Sequence, residues 1–333
     1  MFKVADWKGK PAPEFVDGEW LDGSPLTLMG LRGRVVIVDF WEYSCINCIR
    51  TLPYLRGWYK RYHDRGLEII GVHVPEFEFG KERANVEAAI KQHGITWPVV
   101  LDNDYRTWNA YNNNVWPREL LINQAGIVVH DQSGEGGYRE TEQQIQELLK
   151  QAGDTKPMPK VLEYVRETDH PGRACYRTSP ELYLGAERGI LGNAEKPTTK
   201  AVTFAEPTKM QEDVVYVAGT WSRQGQFIQR SEGSAKKSAW LGLMYHAKGV
   251  YLVIKPQTES GFTVWVEQDD VPLTAQQAGQ DVIVDERGSY LKVDQARMYR
   301  LVNNPEFGVH TLKLYPESDS FGAYAFTFES ACQ

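Results

Sequence analysis

Four cysteines in 333 residues are too few to staple a protein of this size, so its stability must come from burying apolar side chains. No apolar run approaches the ~20 residues that a membrane-crossing helix requires. Met1 to Trp20 lacks the basic-then-apolar pattern of an export signal and reads as a surface loop. Basic charge is scarce too. With 37 Lys and Arg against 44 Asp and Glu, the net charge is −7, and no dense basic run offers a nucleic-acid surface. The composition is that of an ordinary globular protein, 42% hydrophobic and 24% charged, with room for two domains at ~150 residues each.

The two halves are patterned differently. From Val35 to Gln151, apolar strand-like runs alternate with amphipathic segments. Val35 to Phe40 is a β-branched run that suits a buried central strand, and Leu67 to Val74 is a second. Ile49 to Tyr62 and Lys81 to His93 have helical spacing, with Pro53 bending the first and Gly94 stopping the second. Ile95 to Leu101 reads as a strand, Asp104 to Tyr111 as a short helix, and Glu140 to Gln151 as a closing helix. Leu120–Asn123 and Ile127–His130 form a hairpin around Gly126. This order predicts an α/β domain over 1–152, with a mixed central sheet flanked by helices. Residues 153–202, punctuated by prolines, read as an extended connector. From 203 to 333 short period-two runs recur about every ten residues, the mark of an all-β sandwich or jelly roll.

The first strand runs into Cys45-Ile46-Asn47-Cys48, and an amphipathic segment follows at once. A zinc site would need a second such pair or closely spaced histidines. Cys175 and Cys332 stand alone, and the seven histidines show no such spacing, so no metal is expected. A redox pair has a physical basis. The N–H groups and macrodipole at a helix start stabilise a thiolate, which makes Cys45 the exposed nucleophile and Cys48, one turn on and more buried, the resolving thiol. That chemistry requires no cofactor beyond the Cys45–Cys48 disulfide itself. Asp39 lies in the apolar run, where a carboxylate is costly unless paired or neutral. Such a group is suited to accept the proton of Cys48, and this reading outweighs the bland alternative of a polar residue at a strand end. Cys175 and Cys332 are either paired or two unrelated buried thiols, with the second favoured.

Asp39-Phe40-Trp41-Glu42-Tyr43-Ser44-Cys45-Ile46-Asn47-Cys48 resembles the active-site segment of the thioredoxin superfamily. The resemblance implies that Pro53 kinks the active-site helix. It also implies that Trp116-Pro117 is the cis-proline loop facing the thiols. The insertion between Val74 and Asn112 is similar to the TlpA/ResA-like subgroup, which implies an acid near the thiols at Glu76, with Glu78 close by. Three stretches resemble the soluble C-terminal portion of DipZ-type proteins: Tyr43 to Cys48, Gly71 to Phe77 and Ser179 to Gly185. That family joins a thioredoxin-like domain to a β-sandwich similar to carbohydrate-binding modules. The likeness implies protein thiol or disulfide substrates, a membrane electron donor of the CcdA type as partner, and an extracytoplasmic setting. Ser44, Ile46, Asn47 and Trp116 depart from the usual pattern, at positions that help set redox potential and substrate fit.

The β-rich half carries Trp221, Trp240, Trp265, Tyr251 and Tyr290, which invite a glycan-binding reading. Aromatics are also favoured in strands and fill sandwich cores, and that reading weighs more. Two functions follow: a thiol–disulfide oxidoreductase whose β-domain guides substrates, or a glycan- or protein-binding module with the α/β half as scaffold.

Overall fold

The computed structural model describes residues 6–21, 23, 25–195, 198–231, 239–258 and 261–332, and the chain divides into two compact units, Met1–Asp169 and His170–Gln333. The first five residues of the expected N-terminal loop lie outside the described residues. In the first unit the elements run β1 (Glu19–Trp20), β2 (Val35–Trp41), α1 (Ile46–Tyr62), β3 (Leu67–His73), α2 (Arg83–His93), β4 (Val99–Leu101), α3 (Arg106–Ala110), β5 (Arg118–Ile122), β6 (Val128–Ser133) and α4 (Tyr138–Gln151). They form a six-stranded sheet in the order β1-β4-β3-β2-β5-β6. Strands β2, β3 and β4 are parallel, whereas β1, β5 and β6 join antiparallel, so the sheet is mixed as expected.

The central strands β2, β3 and β5 are buried along their whole length, because both faces of the sheet are covered. Alternation of side chains divides them. Val36, Val38 and Phe40 join Ile70, Val72, Leu120, Ile122, Trp108 and Tyr111 in one core. Ile37, Asp39 and Trp41 point the other way. Glycines in the left-handed region end two helical segments where chirality penalises other residues, Gly66 at φ 108° and Gly94 at φ 61°. The strand expected over Ile95 to Leu101 is only Val99–Leu101, since Pro98 has no N–H to give to a ladder. Glu19–Trp20, expected in a loop, adds an edge strand.

Residues 154–169, expected as the start of a connector, pack on the first unit. The Arg65 Nε donates to Asp154 at 2.6 Å, the Leu162 N–H donates to buried Glu142 at 2.7 Å, and the Val165 N–H donates to the Tyr54 hydroxyl at 2.7 Å.

The second unit is all-β and antiparallel. Its strands are β7 (Leu182–Tyr183), β8 (Val202–Phe204), β9 (Val215–Arg223), β10 (Ile228–Arg230), β11 (Trp240–Pro256), β12 (Phe262–Gln268), β13 (Val271–Pro272), β14 (Val282–Asp285), β15 (Gly288–Val293), β16 (Arg297–Pro316) and β17 (Phe321–Glu329). They make one continuous sheet in place of two separate ones, because β11 changes neighbours along its length. Over Leu241–Leu243 it lies between β9 and β16; from Gly249 to Ile254 it lies between β17 and β16, with a register shift at Ala247/Gly249 between the two halves. Bulged strands that pass between layers in this way build the corners of a sandwich. The core they enclose includes Leu241, Tyr245, Leu252, Val264, Leu314 and Phe326.

The other cysteines correct one expectation. Cys175 and Cys332, favoured as unrelated thiols, form a disulfide across a sequence separation of 157, as partners on adjacent antiparallel backbone segments with Cα atoms 3.9 Å apart. Of the aromatic residues with a binding reading, Trp221, Trp240, Tyr251 and Tyr290 are buried. The partly buried Trp265 packs on Tyr290 with its indole N–H donated to Glu317 at 2.7 Å.

Candidate active site

Strand β2 delivers the chain to the start of α1, and Cys45 is the N-cap of that helix. Its Sγ accepts the backbone N–H of Cys48 at 3.4 Å, so the sulfur lies where unpaired helix N–H groups converge. Both cysteines are free thiols, Cys45 half-buried and Cys48 buried. Ile46 is buried and Asn47 half-buried between them. Burial, with the Cys45 sulfur next, pushes the Cys48 thiol well above its ordinary range, and the charge of Asp39 adds to the shift. The outer sulfur is thus the accessible one, and the inner sulfur keeps its proton until something takes it.

Asp39 is 1% exposed on β2, and burial pushes its carboxyl up to about 8. Pro117 follows a cis peptide bond after Trp116. The Trp116 ring packs 4.3 Å from Trp108, and its N–H donates to the Val74 carbonyl at 3.1 Å, which is how this loop accommodates a bulky residue. Arg118 anchors the loop beneath by a buried fork onto Asp131 at 2.9 and 2.7 Å. Glu76 is half-buried after β3, near enough for its charge to bear on Glu42, while Glu78 is exposed and pairs with Lys81 at 2.8 Å.

Sequence reasoning passed over three groups. Glu42 is fully buried just before the thiols. Its Oε2 accepts the Ser44 N–H at 2.7 Å and the Ser44 hydroxyl at 2.6 Å, yet burial outweighs these bonds and raises the carboxyl to about 8. His73 lies between Trp41 and Tyr43 with neither ring nitrogen hydrogen-bonded among the described residues, and burial lowers it to about 3. Its 3.9 Å approach to Glu42 therefore joins a neutral imidazole to a protonated carboxyl at pH 7 and is no ion pair. Glu119, opposite Asp39 on β5, is 3% exposed, and neither of its oxygens has a hydrogen-bond partner among the described residues. The signal that singled out Asp39, an acid in an apolar strand, was present in Glu119-Leu120-Leu121-Ile122 as well. Among the described residues no three His, Cys, Asp or Glu side chains cluster as metal ligands.

Residues 8–149 match the Redoxin family and residues 179–328 match the thioredoxin-like C-terminal domain family. The chain is 35% identical to the thiol-disulfide oxidoreductase ResA of Geobacillus thermodenitrificans, over 38% of this chain and 69% of that protein. This chain belongs to the ResA family of thiol-disulfide oxidoreductases. It is 38% identical to the protein DipZ of Mycobacterium bovis over 71% of its own length, and it spans about a third, 33%, of that relative. A solved thiol-disulfide isomerase from Corynebacterium glutamicum is 23% identical over 41% of this chain and 96% of its own, with a TM-score of 0.38. Family membership and the Cys45–Cys48 arrangement make the first unit a thioredoxin-like module of that family.

Proposed function

We propose that the protein exchanges a Cys45–Cys48 dithiol or disulfide with protein substrates, Cys45 attacking and Cys48 resolving. The observation that carries this reading is the division of labour in the pair. Cys45 caps α1 with a half-buried sulfur that accepts the Cys48 N–H, and Cys48 is sealed behind it, where the charge of buried Asp39 bears on it. In the reducing direction, the Cys45 thiolate attacks a substrate disulfide and releases one substrate sulfur. Asp39 then accepts the Cys48 proton, and Cys48 attacks the Cys45 sulfur to free the second. Trp116 and Pro117 would present backbone to the substrate, Ile46 and Asn47 would tune the couple, and Glu76 would modulate the site through Glu42.

The Cys175–Cys332 disulfide supports an oxidising, extracytoplasmic compartment, since such bonds persist there. Recycling would fall to a membrane electron donor of the CcdA type. Burial of most β-domain aromatics weighs against a glycan platform, which leaves that domain as a substrate-guiding module.

Insulin reduction by the full chain with dithiothreitol tests the activity: turnover is expected in the native protein and none in Cys45→Ala. Equal turnover in that variant would refute the reading. A Cys48→Ala variant should retain substrates as mixed disulfides, which mass spectrometry would identify.

A further inference from the structure

The reaction as described leaves one buried group unused. In the antiparallel ladder between β2 and β5, Asp39 stands directly opposite Glu119. Side chains of directly opposed residues project from the same face of a sheet. Asp39 is 1% and Glu119 3% exposed, and neither Glu119 oxygen nor Asp39 Oδ1 has a hydrogen-bond partner among the described residues. Among the described residues no cation relieves them. On β3 the residue beside Asp39 is Gly71, and on β6 the residue beside Glu119 is Gln132, whose amide is spent on the carbonyls of Ser133 and Gly134. Arg118, next in sequence, is committed to Asp131. From α1 comes the Cys48 thiol, on which the charge of Asp39 bears. From α4 comes Tyr138, buried, its hydroxyl without a hydrogen-bond partner among the described residues and acted on by the charges of Glu135, Glu119, Arg166 and Asp169.

Like charges directly opposed in a sheet destabilise it, and two carboxylates in one dry site cannot both ionise. The strand pair is therefore stable with at most one negative charge among Asp39, Glu119 and Cys48.

We infer that Glu119 shares with Asp39 the role of proton acceptor for Cys48, the two carboxyls carrying between them the single charge that the buried site admits. This rests on the disulfide-exchange reading above. In the mixed disulfide Cys48 is a thiol, one carboxyl is ionised and the other is protonated. The Cys48 proton passes to the ionised carboxyl. The freed electron pair on the Cys48 sulfur attacks Cys45 Sγ, forming the Cys45–Cys48 bond and breaking the bond from Cys45 to the substrate sulfur. That sulfur leaves as a thiolate and takes a proton from water, so the protein dithiol is oxidised and the substrate disulfide reduced. Because the proton moves among buried groups, the transfer leaves the buried charge at one throughout. The pair, now doubly protonated, returns one proton to solvent.

The test uses the full reduced chain and 5,5′-dithiobis(2-nitrobenzoate), whose coloured thiolate is released once when Cys45 attacks and again when Cys48 resolves. Second-release rates are compared from pH 5 to 10 in the native protein, Asp39→Asn, Glu119→Gln and the double variant. Asp39→Asn is expected to keep a carboxyl-dependent profile displaced to higher pH, since the charge falls to Glu119, which burial, the larger cause of its raised carboxyl, still holds above the ordinary range once the Asp39 charge is gone. Adding Glu119→Gln should remove that dependence and cost a further factor of about 10 or more near pH 9. Identical profiles for Asp39→Asn with and without Glu119→Gln would overturn the inference. Absence of the first release would instead overturn the disulfide-exchange reading. Should the double variant fail to fold, infrared spectra of Asp39→Asn suffice. The protonated-carboxyl stretch of Glu119 should disappear over the pH range in which the rate rises, and a band unchanged across that range refutes the proposal.

Discussion

The two units treat buried polarity in opposite ways. In the β-rich unit most groups taken out of water are satisfied, with Asp213 Oδ1 and Arg300 Nε the exceptions among the described residues: Arg223 donates to the Leu184 carbonyl at 2.7 Å and the Gly185 carbonyl at 3.1 Å, and Tyr245, Gln268 and Asn304 bond one another. In the α/β unit, satisfied groups such as the Arg118–Asp131 pair occur, but Asp39, Glu119 and His73 near the thiols keep polar atoms without partners among the described residues. An unsatisfied buried group costs about 1–3 kcal/mol. The cysteines repeat the contrast: one pair is closed across a separation of 157, the other left as free thiols three residues apart. One unit closes most of its buried polar groups into bonds, and the other leaves several open beside its thiols.

The contrast breaks most visibly at the thiols. Cys45→Ser is expected to abolish disulfide exchange while changing the melting temperature little, because the half-buried sulfur makes few irreplaceable contacts. Paired measurements of insulin reduction and thermal unfolding check this.

Asp39→Asn should separate function from stability. The folded carboxyl holds its proton up to about 8, against an ordinary value of 3.8, so between these limits the unfolded chain binds fewer protons than the folded one. Stability from this group is complete below pH 4 and is lost as pH rises toward 8, by up to about 1.4 kcal/mol per pH unit. Asp39→Asn moves that slope to the higher pH at which Glu119 titrates, and denaturant unfolding should find the variant more stable than the native protein at pH 8. Its resolution step should nonetheless be slower near neutrality, by about 10²-fold for the loss of a general base. A native-like slope in the variant would show that Asp39 is not the titrating group.

These expectations also mark what the sequence could reveal. The strand, the C-x-x-C, the helix and the proline loop are local patterns, and each was legible because its cues lie within a few residues. The Asp39–Glu119 contact depends on the register of β2 against β5, set by packing between segments 80 residues apart. Glu42 and His73 look like ordinary polar residues near strand ends until burial of their neighbours is known. The Cys175–Cys332 bond runs against the sequence expectation because sequence gives no distance across a separation of 157 residues.

Removing the second cysteine pair should have the opposite outcome to removing the first. Cys175→Ser with Cys332→Ser reopens a long loop and is expected to cost about 2–4 kcal/mol, with insulin reduction per folded molecule unchanged. A fall in rate without a fall in stability would show that this disulfide takes part in exchange.

Glu42→Gln is expected to have the smallest effect and to sharpen the comparison most finely. A glutamine oxygen can still accept the Ser44 N–H and hydroxyl, so the geometry before Cys45 survives. What disappears is a proton held up to about 8 by burial. By the same sign as for Asp39, the native carboxyl loses stability as pH rises from its ordinary 4.5 toward 8, and the glutamine does not. The two Ser44 hydrogen bonds persist in the glutamine, so the gain at pH 8 should be measurable as a shift in denaturant midpoint. The first thiolate release should hardly change below pH 8, where native Glu42 is neutral too. Above pH 8 the native protein alone acquires a charge at the start of α1, and there the two proteins should diverge.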